Sequence, residues 1–540
     1  MTEEKNIAFS LSEQSFTQYS DMRNASAFPQ VPKRKVSPTT CRRAEQPEEP
    51  YPVRPDSGSD SSDSTSSGSF KVRGDSYAQG LAHLDIQVDD ERPEAHAQRL
   101  SALMLAAARS YPPPPHRHGP IVIVCSYTEF SDLAHGPRGT QAARAVRSYR
   151  LNLVDGTLTL LSAMPEGILH NPAFCRRHPK LNVLYACTES VKQDGRVAAL
   201  ELDGSNGALR ELCPTVSAGG TSTCYLTIHH KCRRMLLVNY WDSTICTLEL
   251  KPDGKLGKRL AQYDPKEGRA MKARPDKHVN HSLNDETAQA ERQGDPHSHA
   301  IVLEPTIGSV AYVPDLGMDV IRQFHFDEES GQVTPCGVIP SGIKAGKRGL
   351  GPRYLIFAKD IPTCYVVNEL SSQVAVFQYH SSAAEAIART WAEAGPTVEA
   401  KTIAVKKLAD TTPTLTLIQT VSTVPEAFPF EMNTCGRVTI HPSGAYVITS
   451  NRGHDSIAVH RIHRDSKPPG MLTLAGIFHT RGETPRHFQF DSSGQWLVVA
   501  NQDSNTTSIF AFNTATGQIT YTGNTYACPS PNFVCVWDGA

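Results

Sequence analysis

PRHFQFDSSGQWLVVANQDS, residues 485–504, reads as an apolar strand, a turn, a second apolar strand and a polar landmark. Phe, Trp, Leu and Val suit a pleated, half-buried surface, and the Asp-Ser-Ser-Gly cluster between the two runs is turn chemistry. The pattern recurs. The second strands with their landmarks read IVIVCSYT, VLYACTES, LLVNYWDS, AYVPDLGMD, YVVNELSSQ, VITSNRGHD and VVANQDSNT. Taking Ser126, Thr188, Asn239, Asp315, Asn368, Asn451 and Asn501 as equivalent, the spacings are 62, 51, 76, 53, 83 and 50 residues. The short spacings cluster near 50, and polar inserts at about 258–296 and 380–410 account for the two longest. Seven landmarks at this period predict an all-β, seven-bladed β-propeller of four-stranded antiparallel blades over 119–540. A two-sheet sandwich is the rival, and so many evenly spaced repeats argue against it.

Residues 1–118 differ in texture. They contain SGSDSSDSTSSGS (57–69) and the tetraproline Pro112–Pro115, a composition expected to stay disordered because it buries too little apolar surface. A short helix is predicted at 95–110, and SSAAEAIARTWAEA (381–394) carries the best helical pattern of the rest. The formal net charge of −1 gives no general case for nucleic acid or membrane surfaces as partners. There is no run of about 18 apolar residues, and the N-terminus MTEEKNIAFS lacks an apolar signal core. Thirteen scattered Cys without CxxC pairs suggest buried thiols in a reducing cytoplasm.

The repeat has a geometric consequence. Ala173, Cys224, Arg353, Gly436 and Arg486 each lie 15 residues before a landmark, and strand register gives His299 the same place with one extra residue in the turn. Fifteen residues fit one strand out, a tight turn and one strand back, so both ends of the hairpin share a face of the disc. A first ring, placed just before the first strands, holds His299, Arg353 and Arg486. A second ring, one residue past the landmarks, holds Glu189, Tyr240, Glu369, Arg452 and Gln502. Both are expected at the mouth of the central channel. Arg forks suit carboxylate or phosphate, so the expected ligand is a small anion. The opposing reading is that such residues cap strands and pair neighbouring blades. His278, His281, His297 and His299 have HxxH and HxH spacing, but no Asp or Cys cluster accompanies them, so no metal or other cofactor is expected. No Walker loop, GxSxG elbow, HExxH or Rossmann fingerprint is present.

Over 119–540 the chain resembles the seven-bladed lactonase family, which includes bacterial-type 6-phosphogluconolactonases and fungal carboxymuconate lactonising enzymes. The motifs are NPAF (171–174), SAGG (217–220), RQGDPHSHA (292–300), GPRYLIF (351–357), NELSSQV (368–374), SNRGHDSIAV (450–459), PRHF with VANQDS, and the closing PNFVCVW (531–537), which looks like the strand that completes the ring. The resemblance implies His299, Arg353, Glu369 and Arg452 as catalytic residues. It departs at Tyr354, where the family often has His, at CSYT (125–128) for GTYT, and at NHSL (280–283).

With the ring geometry, this makes lactone hydrolysis of the 6-phosphogluconolactonase type the leading expectation. Arg353 and Arg452 would hold the anion and the developing oxyanion, and Glu369 or His299 would activate water. His297, Arg486, Gln502 and Asn451 are the candidate substrate-binding residues. Carboxymuconate cycloisomerisation at the same site and a non-enzymatic binding propeller are the alternatives. Substrate identity and oligomeric state are not readable from the sequence.

Overall fold

The six-residue second strands are apolar at nearly every position because both faces of each blade pack on a neighbour. Ile121–Ser126, Val183–Thr188, Val310–Asp315, Thr363–Asn368 and Trp496–Asn501 are buried at every position. The outermost strands instead face solvent on one side, as in Leu158–Ala163. The structure is a computed structural model that describes residues 119–265, 292–344 and 349–538. The serine run, the helix expected at 95–110, His278, His281 and the NHSL stretch lie outside the described residues.

Twenty-eight strands, β1–β28 in chain order, form seven four-stranded antiparallel sheets among the described residues. Six sheets use consecutive strands. The seventh places the last strand, β28 (Pro531–Trp537), beside β1 (Ile121–Ser126), followed by β2 (Val146–Leu151) and β3 (Leu158–Ala163), so β28 is the inner strand of the first blade. It pairs with β1 (Ile121–Ser126) in a register that sets Val124 against Val534 and Ile121 against Trp537. This is the ring closure expected from PNFVCVW. It covers an edge of six buried residues that would otherwise present unpaired backbone groups.

The landmarks hold blades together. Asn239, Asn368, Asn451 and Asn501 each donate Nδ2 to a carbonyl at the end of the preceding blade's outer strand: Ala218 (3.1 Å), Ser341 (3.0 Å), Thr423 (2.7 Å) and Thr480 (3.2 Å). All four are fully buried, so the amide satisfies a carbonyl that water cannot reach. Four residues on, Ser243, Asp319, Ser372, Asp455 and Asn505 take φ of 50–63° in the turn to the third strand, a conformation Asn and Asp tolerate best.

Helix α1 (Ser381–Glu393) forms where the pattern predicts one, and a second helix, α2 (Val398–Thr411), follows in the same insert. Trp391 of α1 stacks on His325 of the fourth blade at 4.2 Å, which docks the insert on the rim away from the axis. No described helix is long and apolar enough to cross a membrane.

Deleting residues 531–540 removes the closing strand. The truncated chain is expected to lose its cooperative thermal transition and to aggregate on gel filtration. A melt within a few degrees of the intact chain would show that closure is dispensable.

Candidate active site at the axial face

Within the inner hairpins, the landmark pairs with the residue sixteen before it: Pro172 with Thr188, Thr223 with Asn239, Pro352 with Asn368, Cys435 with Asn451 and Pro485 with Asn501. The ladder then slips. Ala173, Cys224, Arg353 and Arg486 are skipped, and pairing resumes at Phe174, Tyr225, Tyr354 and His487. In the sixth blade Gly436 and Arg437 together face Ser450, and in the first the slip falls at Asn532. In the fourth, Ser298 bridges Asp315 and His299 follows it. Each slip is a β-bulge, which bends a strand and re-aims a side chain. Ala173, Cys224, His299, Arg353, Arg486 and Asn532 line one cavity. His299, Arg353 and Arg486 of the first ring all line this cavity, but Arg353 and Arg486 are bulged residues inside their inner strands rather than residues preceding them.

The second ring is fastened by the turn into the same strands. The N–H groups of Glu189, Tyr240, Glu369 and Gln502 donate to the carbonyls of Asn171, Ser222, Gly351 and Thr484 at 2.6–3.0 Å. Those four turn residues have φ of 38–62°, a left-handed conformation that is costly for a β-branched residue such as Thr484. One turn therefore sets both a first-ring and a second-ring side chain.

Glu369 is the electrostatic centre. Its Oε2 lies 2.7 Å from Arg353 Nε and 2.9 Å from Arg452 Nη2, and its Oε1 lies 2.5 Å from Arg292 Nη1. Arg353 and Arg452 also donate to the carbonyls of Gly436 (2.8 Å) and Cys435 (2.6 Å), so both guanidiniums are fixed in orientation. Burial alone would raise the carboxyl; Arg452, Arg292 and Arg353 outweigh it and hold Glu369 far below the ordinary carboxylate range. Burial likewise draws Arg452 down to about 10, still a cation at neutral pH.

His299 projects into the cavity between Tyr240 (5.3 Å) and Tyr354 (5.4 Å), both edge-on. Its Nδ1 is buried without a hydrogen-bond partner. Burial, reinforced by Arg353, holds its pKa well below the ordinary value, so the ring is neutral near pH 7. On the far wall, Glu189 accepts from Tyr127 Oη at 3.0 Å and lies 3.8 Å from His135 Nδ1. Burial pushes Glu189 up, but His135, Arg486 and Tyr127 bring it to about 2. Four guanidiniums (Arg292, Arg353, Arg452, Arg486) thus share the site with two carboxylates, a surplus of two positive charges.

A family model described as lactonase, 7-bladed beta-propeller, matches residues 121–396 and 398–536. The chain belongs to the seven-bladed lactonase family. It is 26% identical over 368 residues to 6-phosphogluconolactonase of Bacillus subtilis, covering 68% of this chain and 87% of that protein. It is 27% identical over 379 residues to 6-phosphogluconolactonase of Formosa agariphila, covering 69% and 90%. The crystal structure of a putative 6-phosphogluconolactonase from Bacteroides fragilis shares the fold with a TM-score of 0.57 at 23% identity, covering 79% of this chain and 100% of that one. The Pseudomonas aeruginosa periplasmic gluconolactonase aligns with a TM-score of 0.58 at 22% identity, covering 77% and 99%.

The four residues that the lactonase resemblance implied as catalytic fall together: Arg353 and Arg452 on Glu369, and Arg353 beside His299 in the cavity wall. Arg486 lines the same wall. The other candidate binding residues do not. Asn451 has every amide group engaged within the scaffold, by Thr423, Asn433 and Ser456, because it is a blade-joining landmark. His297 stacks behind Tyr240 at 4.9 Å and contacts its carbonyl, and Gln502 Nε2 donates to Asp503. Neither lines the cavity. Arg292, His135 and Asn532 are site residues that the landmark spacing missed. Arg292 and His135 come from connections outside the repeat, and Asn532 sits in the closing strand.

Glu369→Gln should cost roughly 3–5 kcal/mol, the scale for removing one partner of a buried ion pair. Because Glu369 is depressed in the folded state, its contribution is complete above the unfolded carboxyl value of about 4.3 and is lost as pH falls below it. Denaturant melts from pH 6 to pH 3 should therefore show a shallower acid limb for E369Q than for the parent. Parallel limbs would place the carboxylate's stabilising role elsewhere.

Proposed function

We propose that the protein hydrolyses a small anionic lactone, with 6-phosphogluconolactone as the first substrate to test. One observation carries the reading: a neutral imidazole with Nδ1 unpartnered lies beside the fixed guanidinium of Arg353, in a cavity that Arg486 and Glu189 also line. The two curated relatives named 6-phosphogluconolactonase support the substrate class. The cycloisomerase alternative finds no support among these relatives.

Hydrolysis requires a base for water, a site for the oxyanion and an acid for the leaving alkoxide. The His299 imidazole accepts the proton as water adds to the lactone carbonyl, and the imidazolium returns it to the ring oxygen as the C–O bond breaks. Arg353 stabilises the oxyanion, since its position is already paid for by Glu369 and the Gly436 carbonyl and needs no rearrangement. Glu369 is a poor base, because three arginines stabilise its ionised form; it orients Arg353 and Arg452. Arg486, beside the Tyr127 ring at 5.5 Å, holds the anionic tail.

His299→Ala should lower kcat by roughly 10²–10⁴-fold, and Arg353→Met should lower kcat/KM by at least about 10²-fold. Both are read by acid release from 6-phosphogluconolactone above the uncatalysed rate. Full turnover in both variants would reject the assignment. Because His299 is depressed and acts as the neutral base, kcat/KM should stay flat from pH 8 to about pH 6, without the inflection near 6.5 that an exposed imidazole would give.

A further inference from the structure

In six blades the turn from the second strand to the third takes three to five residues. In the first blade the same connection, from β1 to β2, takes nineteen, residues 127–145. It leaves β1 at the landmark Ser126, so it starts on the face of the disc that carries the cavity.

Two feet fasten this strap to the blades on either side of its own. On the second blade, Asp132 accepts from Ser190 Oγ at 2.9 Å and lies 2.9 Å from His170 Nε2, while its carbonyl accepts the Val191 N–H at 3.0 Å. Asn171 Oδ1 accepts the N–H groups of Thr128 and Glu129 at 2.8 and 2.9 Å. Asp132, Ser190 and Asn171 are buried, so this foot is firm. On the seventh blade, Arg138 Nε lies 3.1 Å from Asp503 and its Nη2 3.4 Å from Glu483, and Asn505 Oδ1 accepts the Thr140 N–H at 2.7 Å. The Arg138 and Glu483 side chains are 59% and 60% exposed, and ion pairs of that kind hold weakly. The fit is nevertheless close, since a Cβ on Gly139 would stand 2.6 Å from the Gln502 carbonyl oxygen.

Between the feet, the crown of the strap crosses the mouth. Ala134 packs against the apolar cluster of the third and fourth blades, which includes Val238, Tyr240 and Ile301. In a ring of seven, those blades lie across the axis from the first. His135 stands edge-on to Tyr127 at 5.3 Å, and its Nδ1 is 3.8 Å from Glu189, a residue of the cavity wall. That separation exceeds a hydrogen bond, and His135 Nε2 is buried without a partner. The crown therefore rests on the site and is only lightly held there.

We propose that residues 127–145 are a gate over the cavity. The exposed foot on the seventh blade releases, the buried foot on the second blade acts as the hinge, and the crown swings off Glu189 to admit a ligand. Closed, the strap sets His135 and Tyr127 against Glu189 and shields the cavity from bulk water. The gate is a property of the first blade and stands whether or not the cavity beneath it hydrolyses lactones.

Cys224 lines the cavity and is buried, so its alkylation reports opening of the gate. The full-length parent, Arg138→Ala and Gly139→Val are each treated with iodoacetamide. Peptide mass spectrometry follows Cys224 beside Cys364, a fully buried thiol of the fifth blade. R138A removes the exposed ion pairs, and G139V wedges its side chain against the Gln502 carbonyl. Cys224 should react roughly five-fold faster in R138A than in the parent, the scale of one exposed ion pair, and faster still in G139V, with Cys364 unchanged. R138A alters only an exposed side chain, so the test survives a G139V that fails to fold. Equal Cys224 rates in the parent and R138A, or a rise that Cys364 shares, would overturn the gate. Alkylation needs no turnover, so a failed lactonase assay beside a faster Cys224 would reject the enzymatic reading alone.

Discussion

One extra residue in an inner strand is the constraint on which the site depends. In a regular ladder, side chains alternate between the two faces of a blade, and both faces are filled by neighbouring blades. The bulges at Ala173, Cys224, Arg353, Arg486 and Asn532 break that alternation at the same height, and all five residues reach a common cavity. The left-handed turns that precede four of these bulges, at Asn171, Ser222, Gly351 and Thr484, also fasten the second ring through their carbonyls. The geometry of the candidate site is a property of the backbone repeat, varied by which side chain each blade supplies.

The electrostatics follow from placing many arginines around few acids. Glu369 holds Arg292 from the connection before the fourth blade, Arg353 from the inner strand of the fifth and Arg452 from the end of the second strand of the sixth, and so links these blades at the axis. A carboxylate bound this firmly serves orientation better than proton transfer. His299 is left in the opposite condition: neutral, buried and with Nδ1 unengaged. The two groups illustrate how environment divides roles between potential bases.

Much of this was legible in the sequence because the second strands are apolar at nearly every position and end on a polar residue. Spacing alone located the landmarks and, through them, Arg353, Arg486, Glu369 and Arg452. Spacing could not separate a residue aimed into the cavity from one that joins blades. Asn451 and Arg452 are adjacent; the first spends its amide on Thr423 and the second reaches Glu369. The bulges were also hidden, since they appear only as pairing register. Arg292 and His135 lie in connections whose lengths follow no period, and their approach to Glu369 and Glu189 is a tertiary fact.

The central claim is that the bulge-built cavity binds and opens a small anionic lactone. A crystal structure of the full chain with 6-phosphogluconate tests it most directly. The account predicts the sugar acid in this cavity, with its carboxylate within hydrogen-bonding distance of Arg353 and His299 and its phosphate toward arginine. Binding elsewhere on the molecule, or a cavity left empty at saturating ligand, would contradict it.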